Sequence, residues 1–181
     1  MPGDRDVWIF IIAELAMFGA FFAAYMVSRA GDVELFNASQ LTLDKTFGAL
    51  NTVLLLTSSW AVVQSVRAAR ENRIPTVTHH LAFAITLGVA FMVIKYFEYS
   101  AKFEVGLTLM TNDFYMFYFS LTMIHLLHVA GGLVILSIVW VNARNGSYRP
   151  GSTQGIETGA SYWHMVDILW IFLFSILYML R

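Results

Sequence analysis

The chain has 181 residues, of which 58% are hydrophobic and 13% charged, with a formal charge of −1. A soluble domain carries about 25% charged residues, so this chain reads as lipid-embedded, its helices held together by packing and not by exclusion of water. It has no cysteine, which excludes disulfides, thiolate metal sites, iron–sulfur clusters and cysteine-based copper centres, and the near-neutral charge gives no sign of nucleic-acid binding.

The opening segment includes Asp4, Arg5 and Asp6 and is not net basic, unlike the n-region of a secretory signal. The apolar run that follows, residues 7–28, is long enough to cross about 30 Å of hydrocarbon and reads as a retained first span. Further apolar runs cover 46–66, 80–101, 115–141 and 162–180. Polar joints separate them at Arg29 to Asp44, Arg67 to Thr78, Lys102 to Asp113 and Asn142 to Ser161. In lipid a segment has to satisfy its own backbone groups, so each run is predicted helical. No internal repeat or low-complexity tract divides the chain. The expected fold class is all-α: a polytopic membrane helix bundle with five transmembrane helices, one domain over residues 1–181.

Arg5, Arg67, Arg70, Arg73, Arg144 and Arg149 fall on one side of these spans, and Arg29, Lys45, Lys102 and Arg181 on the other. The positive-inside rule then places the N-terminus in the cytoplasm and the C-terminus outside, in a bacterial inner membrane.

Ionisable groups inside spans cost roughly 2.5–3.5 kcal/mol each at a helix centre, so each one calls for a partner or a role. Glu14 precedes Phe18, Phe22 and Tyr25 on one helical face. It reads either as a lipid-, proton- or channel-related carboxyl group or as a neutral acid hydrogen-bonded to a neighbouring helix. Lys95 and Glu98, three apart, can pair on one turn, with the lysine near enough to the outer end of its span to snorkel. His125 and His128 are also three apart. They can ligate a metal or haem, but two residues on one turn cannot be both axial ligands of the same haem, and packing histidines are the plainer reading. His164 and Asp167 share a face at the start of the fifth span and suit a local hydrogen bond, while Tyr162, Trp163 and Trp170 suit a membrane interface. No nucleophile stands with them in a strand–turn–helix context. Ala16, Ala20 and Ala24 repeat at four-residue spacing and, with Gly131 and Gly132, suggest where helices meet.

In order along the chain, these motifs resemble the haem–copper oxidase (cytochrome c oxidase) subunit III family in a short five-helix bacterial form. The resemblance is carried by Ala13 to Phe18 with Phe21 and Phe22, Asn51 to Ser59, Ile85 to Val89, and Glu98-Tyr99. It continues through Thr122-x-x-His125-x-x-His128-Val129-x-x-Gly132, then Glu157, and then Tyr162-Trp163-His164-x-Val166-Asp167. Many members of that family begin with two further helices. Met123 and Leu126 stand where glycines are common. Those two residues, the Asn112 to Tyr118 lead-in and Lys95 before Glu98 look closer to the accessory proteins of nitric oxide reductase.

The resemblance implies a non-catalytic partner of a large haem-bearing subunit, with no intrinsic cofactor and no metal, that holds phospholipid and supports assembly and sustained turnover. It implies that Glu14 is the family's buried functional acid and that Glu98, His125, His128, Glu157, His164 and Asp167 belong to a polar network with Lys95. Arg67, Arg70, Arg73, His79 and His80 are candidates for lipid headgroups on charge and location. Two other classes stay open on the residues alone. One is a small b-type cytochrome using His125, His128 or His164. The other is a proton-coupled transporter using Glu14 and Glu98, against which stands the lack of inverted repeats or broken helices.

Overall fold

A computed structural model describes residues 4–148 and 153–180. Arg149 and Arg181, both part of the charge count, lie outside the described residues. The elements are α1 (Arg5–Gly31), α2 (Val33–Gln40), α3 (Lys45–Arg70), α4 (Ile74–Glu104), α5 (Asp113–Arg144) and α6 (Gln154–Phe174). A single π turn, Ser175–Met179, continues α6. Among the described residues there is no strand, and all but α2 are long and apolar enough to cross a membrane. The protein is a multi-pass helical bundle.

The helix boundaries follow from local chemistry. Asp4, Asp32, Asp44 and Asn112 each cap a helix by accepting a backbone N–H two or three residues on, which satisfies a donor the helix cannot. At the other ends, Asn72, Gly106 and Gly146 take positive φ of 57°, 78° and 71°. The next residue then donates back to the last turn: Arg73 to Ala68, Leu107 to Lys102 and Ser147 to Asn142. These closures satisfy otherwise orphaned carbonyls and set the tight returns between antiparallel helices.

Helices α3, α4, α5 and α6 form a closed ring in which each packs on two neighbours, and α1 lies outside it against α5 and α6. The joint from Arg29 to Asp44 was expected only as a polar connection between spans. It contains α2, which puts Phe36 edge-on to Tyr25 and Phe114.

Two expectations are corrected. Ala16, Ala20 and Ala24 point away from the bundle and are exposed, because the heavier face of α1, Phe18 and Tyr25, is the one that turns inward. Trp163 and Trp170 are core residues, not interface aromatics. Their indole N–H groups donate to Ser58 Oγ (3.1 Å) and Thr52 Oγ1 (3.0 Å), and a satisfied indole can be buried.

Candidate functional site

The polar residues inside the spans fall into separate centres, each built where two or more helices meet. The first lies between α4, α5 and the π turn. Lys95 Nζ is 3.0 Å from Glu98 Oε2 and donates to Tyr178 Oη at 3.1 Å and to Tyr118 Oη at 3.4 Å. Both phenols in turn donate to Glu98 Oε1. The ammonium also sits 5.2–5.8 Å from the ring centroids of Tyr99, Tyr118, Trp170 and Tyr178, within range of cation–π attraction. Lys95 is 1% and Glu98 3% exposed, so the lysine does not snorkel. Its charge is met by a carboxylate and four rings, which is the condition for keeping a buried ion pair. Tyr178 reaches this centre from the π turn, in which Leu180 N bonds to Ser175 O. Such turns recur at functional positions.

The second centre joins α1 to α5. Glu14 Oε2 lies 3.1 Å from His128 Nε2, about 14 Å along α1 from Arg5 at 1.5 Å per residue. His128 Nδ1 donates to the Ile124 carbonyl at 2.9 Å, which leaves Nε2 facing Glu14, whose Oε2 makes no hydrogen bond among the described residues. A glutamine amide can donate to that nitrogen. Glu14→Gln is accordingly expected to leave thermal unfolding of the purified chain nearly unchanged, whereas Glu14→Leu strands the imidazole and lowers stability by about 1–3 kcal/mol. Equal losses in the two variants would mean that residue 14 acts on this seam through packing and not through a polar contact with the ring.

The third centre lies on the α3–α6 seam. His164 Nδ1 is 2.6 Å from Ser59 Oγ and 3.6 Å from Asp167 Oδ2. The expected His–Asp bond is thus replaced by a serine contact. Serine and aspartate approach the same ring nitrogen, so the trio is not a proton relay of the hydrolase kind, which uses both nitrogens. Asp167 is 4% exposed and neither of its oxygens has a hydrogen-bond partner among the described residues. About two to three turns toward Gln154, Glu157 accepts from Arg70 Nε and Nη2 at 3.0 and 2.9 Å. Glu157 was read as part of a joint and instead stands on the first turn of α6.

His125 is turned away from His128. It is fully buried between Phe91 (centroids 5.8 Å apart) and Trp170 (5.4 Å), with neither ring nitrogen hydrogen-bonded. The two histidines therefore serve different neighbours. The five headgroup candidates also separate. Arg67 and Arg70 line one groove with Glu157 and His164, His79 and His80 line another with Trp60 and Phe83, and Arg73 pairs with Glu71. Among the described residues, no group of three or more His, Asp or Glu side chains converges as a metal site would require.

Tyr178 was not singled out in the sequence, and Tyr118 and Ser59 stood there only as the last residues of quoted motifs, with no role assigned. Tyr118 follows Lys95 by 23 positions and Tyr178 by 83, and no local spacing rule connects such positions. The order of these centres along the helices is that of the motifs quoted above, and the sequence profile of the cytochrome c oxidase subunit III family matches residues 4–181. The chain belongs to that family. It is similar to the cytochrome c oxidase subunit 3 of Synechocystis sp., at 33% identity over 96% of this chain and 74% of the relative. The subunit 3 of Thermostichus vulcanus is 31% identical over 95% of this chain and 84% of its own length. That of Alkalihalophilus pseudofirmus is 27% identical over 96% and 84%. The family's matched span thus contains all three polar centres, from Glu14 on α1 to Tyr178 after α6.

Proposed function

We propose that the chain is a non-catalytic partner in a cytochrome oxidase complex, seated beside a large haem-bearing catalytic subunit in a bacterial inner membrane with its N-terminus cytoplasmic. The observation that carries this reading is the match to subunit III over all five spans. The geometry is consistent with it. Lys95, Glu98, Tyr118 and Tyr178 bond one another, and Glu14 faces His128. Charged groups tied to neighbouring helices in this way fix helix positions, as a scaffold for a partner requires.

Support of assembly, retention of phospholipid and sustained turnover follow from the same reading. The relatives compared above carry the oxidase name, so an oxidase is the partner proposed, despite the features that look like the nitric oxide reductase accessory proteins. A pull-down of the tagged chain in mild detergent, with a haem spectrum and identification of the recovered subunits, tests it. The expected result is a haem-bearing oxidase subunit recovered with this chain, the haem leaving with that subunit when the two are separated. Recovery of a nitric oxide reductase subunit would change the partner, and haem retained by the isolated chain would overturn the reading.

A further inference from the structure

We propose that the groove which Trp60 of α3 shares with His79, His80 and Phe83 of α4 seats the head of a membrane-soluble quinol, held through its hydroxyl hydrogens. Binding is what the site does; no redox step is assigned to it.

The groove has a volume of about 220 Å³ and, among the described residues, no charged side chain in its lining. Trp60 is 55% and Phe83 46% exposed, and the His80 ring meets Trp60 edge-on with centroids 6.2 Å apart. Flat apolar walls with a few polar atoms suit a small ring-shaped ligand. Helix α4 begins at Ile74, so His79 and Phe83 lie about 7.5 and 13.5 Å into it at 1.5 Å per residue. That depth crosses from the polar layer into the hydrocarbon, where a polar head on an isoprenoid tail rests. Trp140 Nε1 donates to the Thr78 carbonyl, which ties this end of α4 to α5 and holds the histidines in place.

The polar atoms of the lining select a donor. His79 Nδ1 lies 2.6 Å from the Pro75 carbonyl, and His80 Nδ1 lies 2.9 Å from the Thr76 carbonyl. A carbonyl only accepts, so in each neutral ring Nδ1 carries the proton and Nε2 is left as a lone-pair acceptor. Neither Nε2 has a partner among the described residues. Against these two acceptors the lining offers one side-chain donor, the Trp60 indole N–H. A phosphodiester, which only accepts, meets two lone pairs there and no cation. A quinol brings two hydroxyl hydrogens on one flat ring, and its oxygens still accept from the indole. The oxidised quinone has carbonyls in their place and keeps only the indole bond. The groove is therefore expected to prefer the reduced form about tenfold.

The test uses the full chain purified in a neutral detergent, kept anaerobic at about pH 8, above the usual imidazole range. Decylubiquinol or decylubiquinone is added, and retained ligand is counted by native mass spectrometry. About tenfold more of the quinol is expected to remain bound. The double variant His79→Phe, His80→Phe keeps the ring bulk, removes both acceptors, and should bring quinol retention down to the quinone level. Trp60→Ala is expected to lower retention of both forms. Phe103→Ala, at an exposed ring near the other end of α4, should change neither. In a chain with isotope-labelled histidine, the quinol should move the Nε2 resonance of His79 or His80 and the quinone should not. Equal retention of the two forms overturns the proposal, as does quinol retention unchanged in the double-histidine variant. Displacement of the quinol by equimolar dioleoylphosphatidylethanolamine also overturns it and makes the groove a phospholipid contact. None of these outcomes depends on which catalytic subunit the chain accompanies.

Discussion

A chain carrying Lys95→Met is expected to lose about 3–5 kcal/mol of stability, because the change leaves Glu98 as an uncompensated buried charge. Glu98 Oε2 has Lys95 as its cation, while Oε1 accepts from Tyr118 and Tyr178. Removing the ammonium leaves two phenols to hold a carboxylate that is 3% exposed. The same substitution removes the cation from four ring faces. The double variant Lys95→Met, Glu98→Gln is expected to recover most of the loss. It discards both charges at once, and replacing a buried pair with uncharged groups of similar volume is often neutral. The measurement is reversible unfolding in mixed micelles, followed by tryptophan fluorescence. Two variants of equal stability would mean that the pair contributes through packing and not through charge. Tyr178→Phe should be milder, about 1–2 kcal/mol, since Tyr118 still donates to the same oxygen.

Much of this architecture can be read from the sequence, for reasons that are local. Span order follows from hydropathy, whereas the helix starts are set by side-chain caps at Asp4, Asp32, Asp44 and Asn112 that the hydropathy reading did not use. The Lys95–Glu98 pair is legible because three residues is a contact distance on a helix. What is illegible depends on the rotation of one helix against another. Small-residue spacing marked the outer face of α1 as a contact because it says that a face can be approached closely, not that another helix lies there. Trp170 resembles an interface residue until its N–H is found on Thr52 of a different helix. Tyr178 depends on the π turn, which changes which way its side chain points after α6, and no composition signal in Ser175–Met179 announces it. The match of Glu14 to His128 has the same character, since each was visible and only the packing of α1 on α5 joins them.

The other large effect is expected at Trp163. Trp163→Ala should cost about 3–5 kcal/mol and reduce recovery of the chain from membranes, because this indole is the wedge on which α4, α5 and α6 meet. It is fully buried, and two glycines leave it room. A Cβ at Gly88 would stand 2.9 Å from Trp163 Cη2, and one at Gly132 would stand 2.7 Å from Cε3. Its N–H donates to Ser58, whose hydroxyl donates to the Ala84 carbonyl, so the ring also ties α3 to α4. In lipid the removed side chain is not compensated by any loss of water contact, so dispersion across the lost interface is the main term. Trp163→Phe keeps most of that contact and loses the N–H, and a drop of about 1 kcal/mol is expected because Ser58 retains its other bond. The decisive measurement is a double-mutant cycle with Gly132→Ala. Alone, the added methyl meets the indole edge and destabilises. In the Trp163→Ala background it enters vacated space and should restore part of the lost stability. Strict additivity of the two changes would mean that the glycine does not hold room for the ring. A favourable coupling would identify Gly132 and Trp163 as one packing unit, the feature on which the closed ring of α3 to α6 depends.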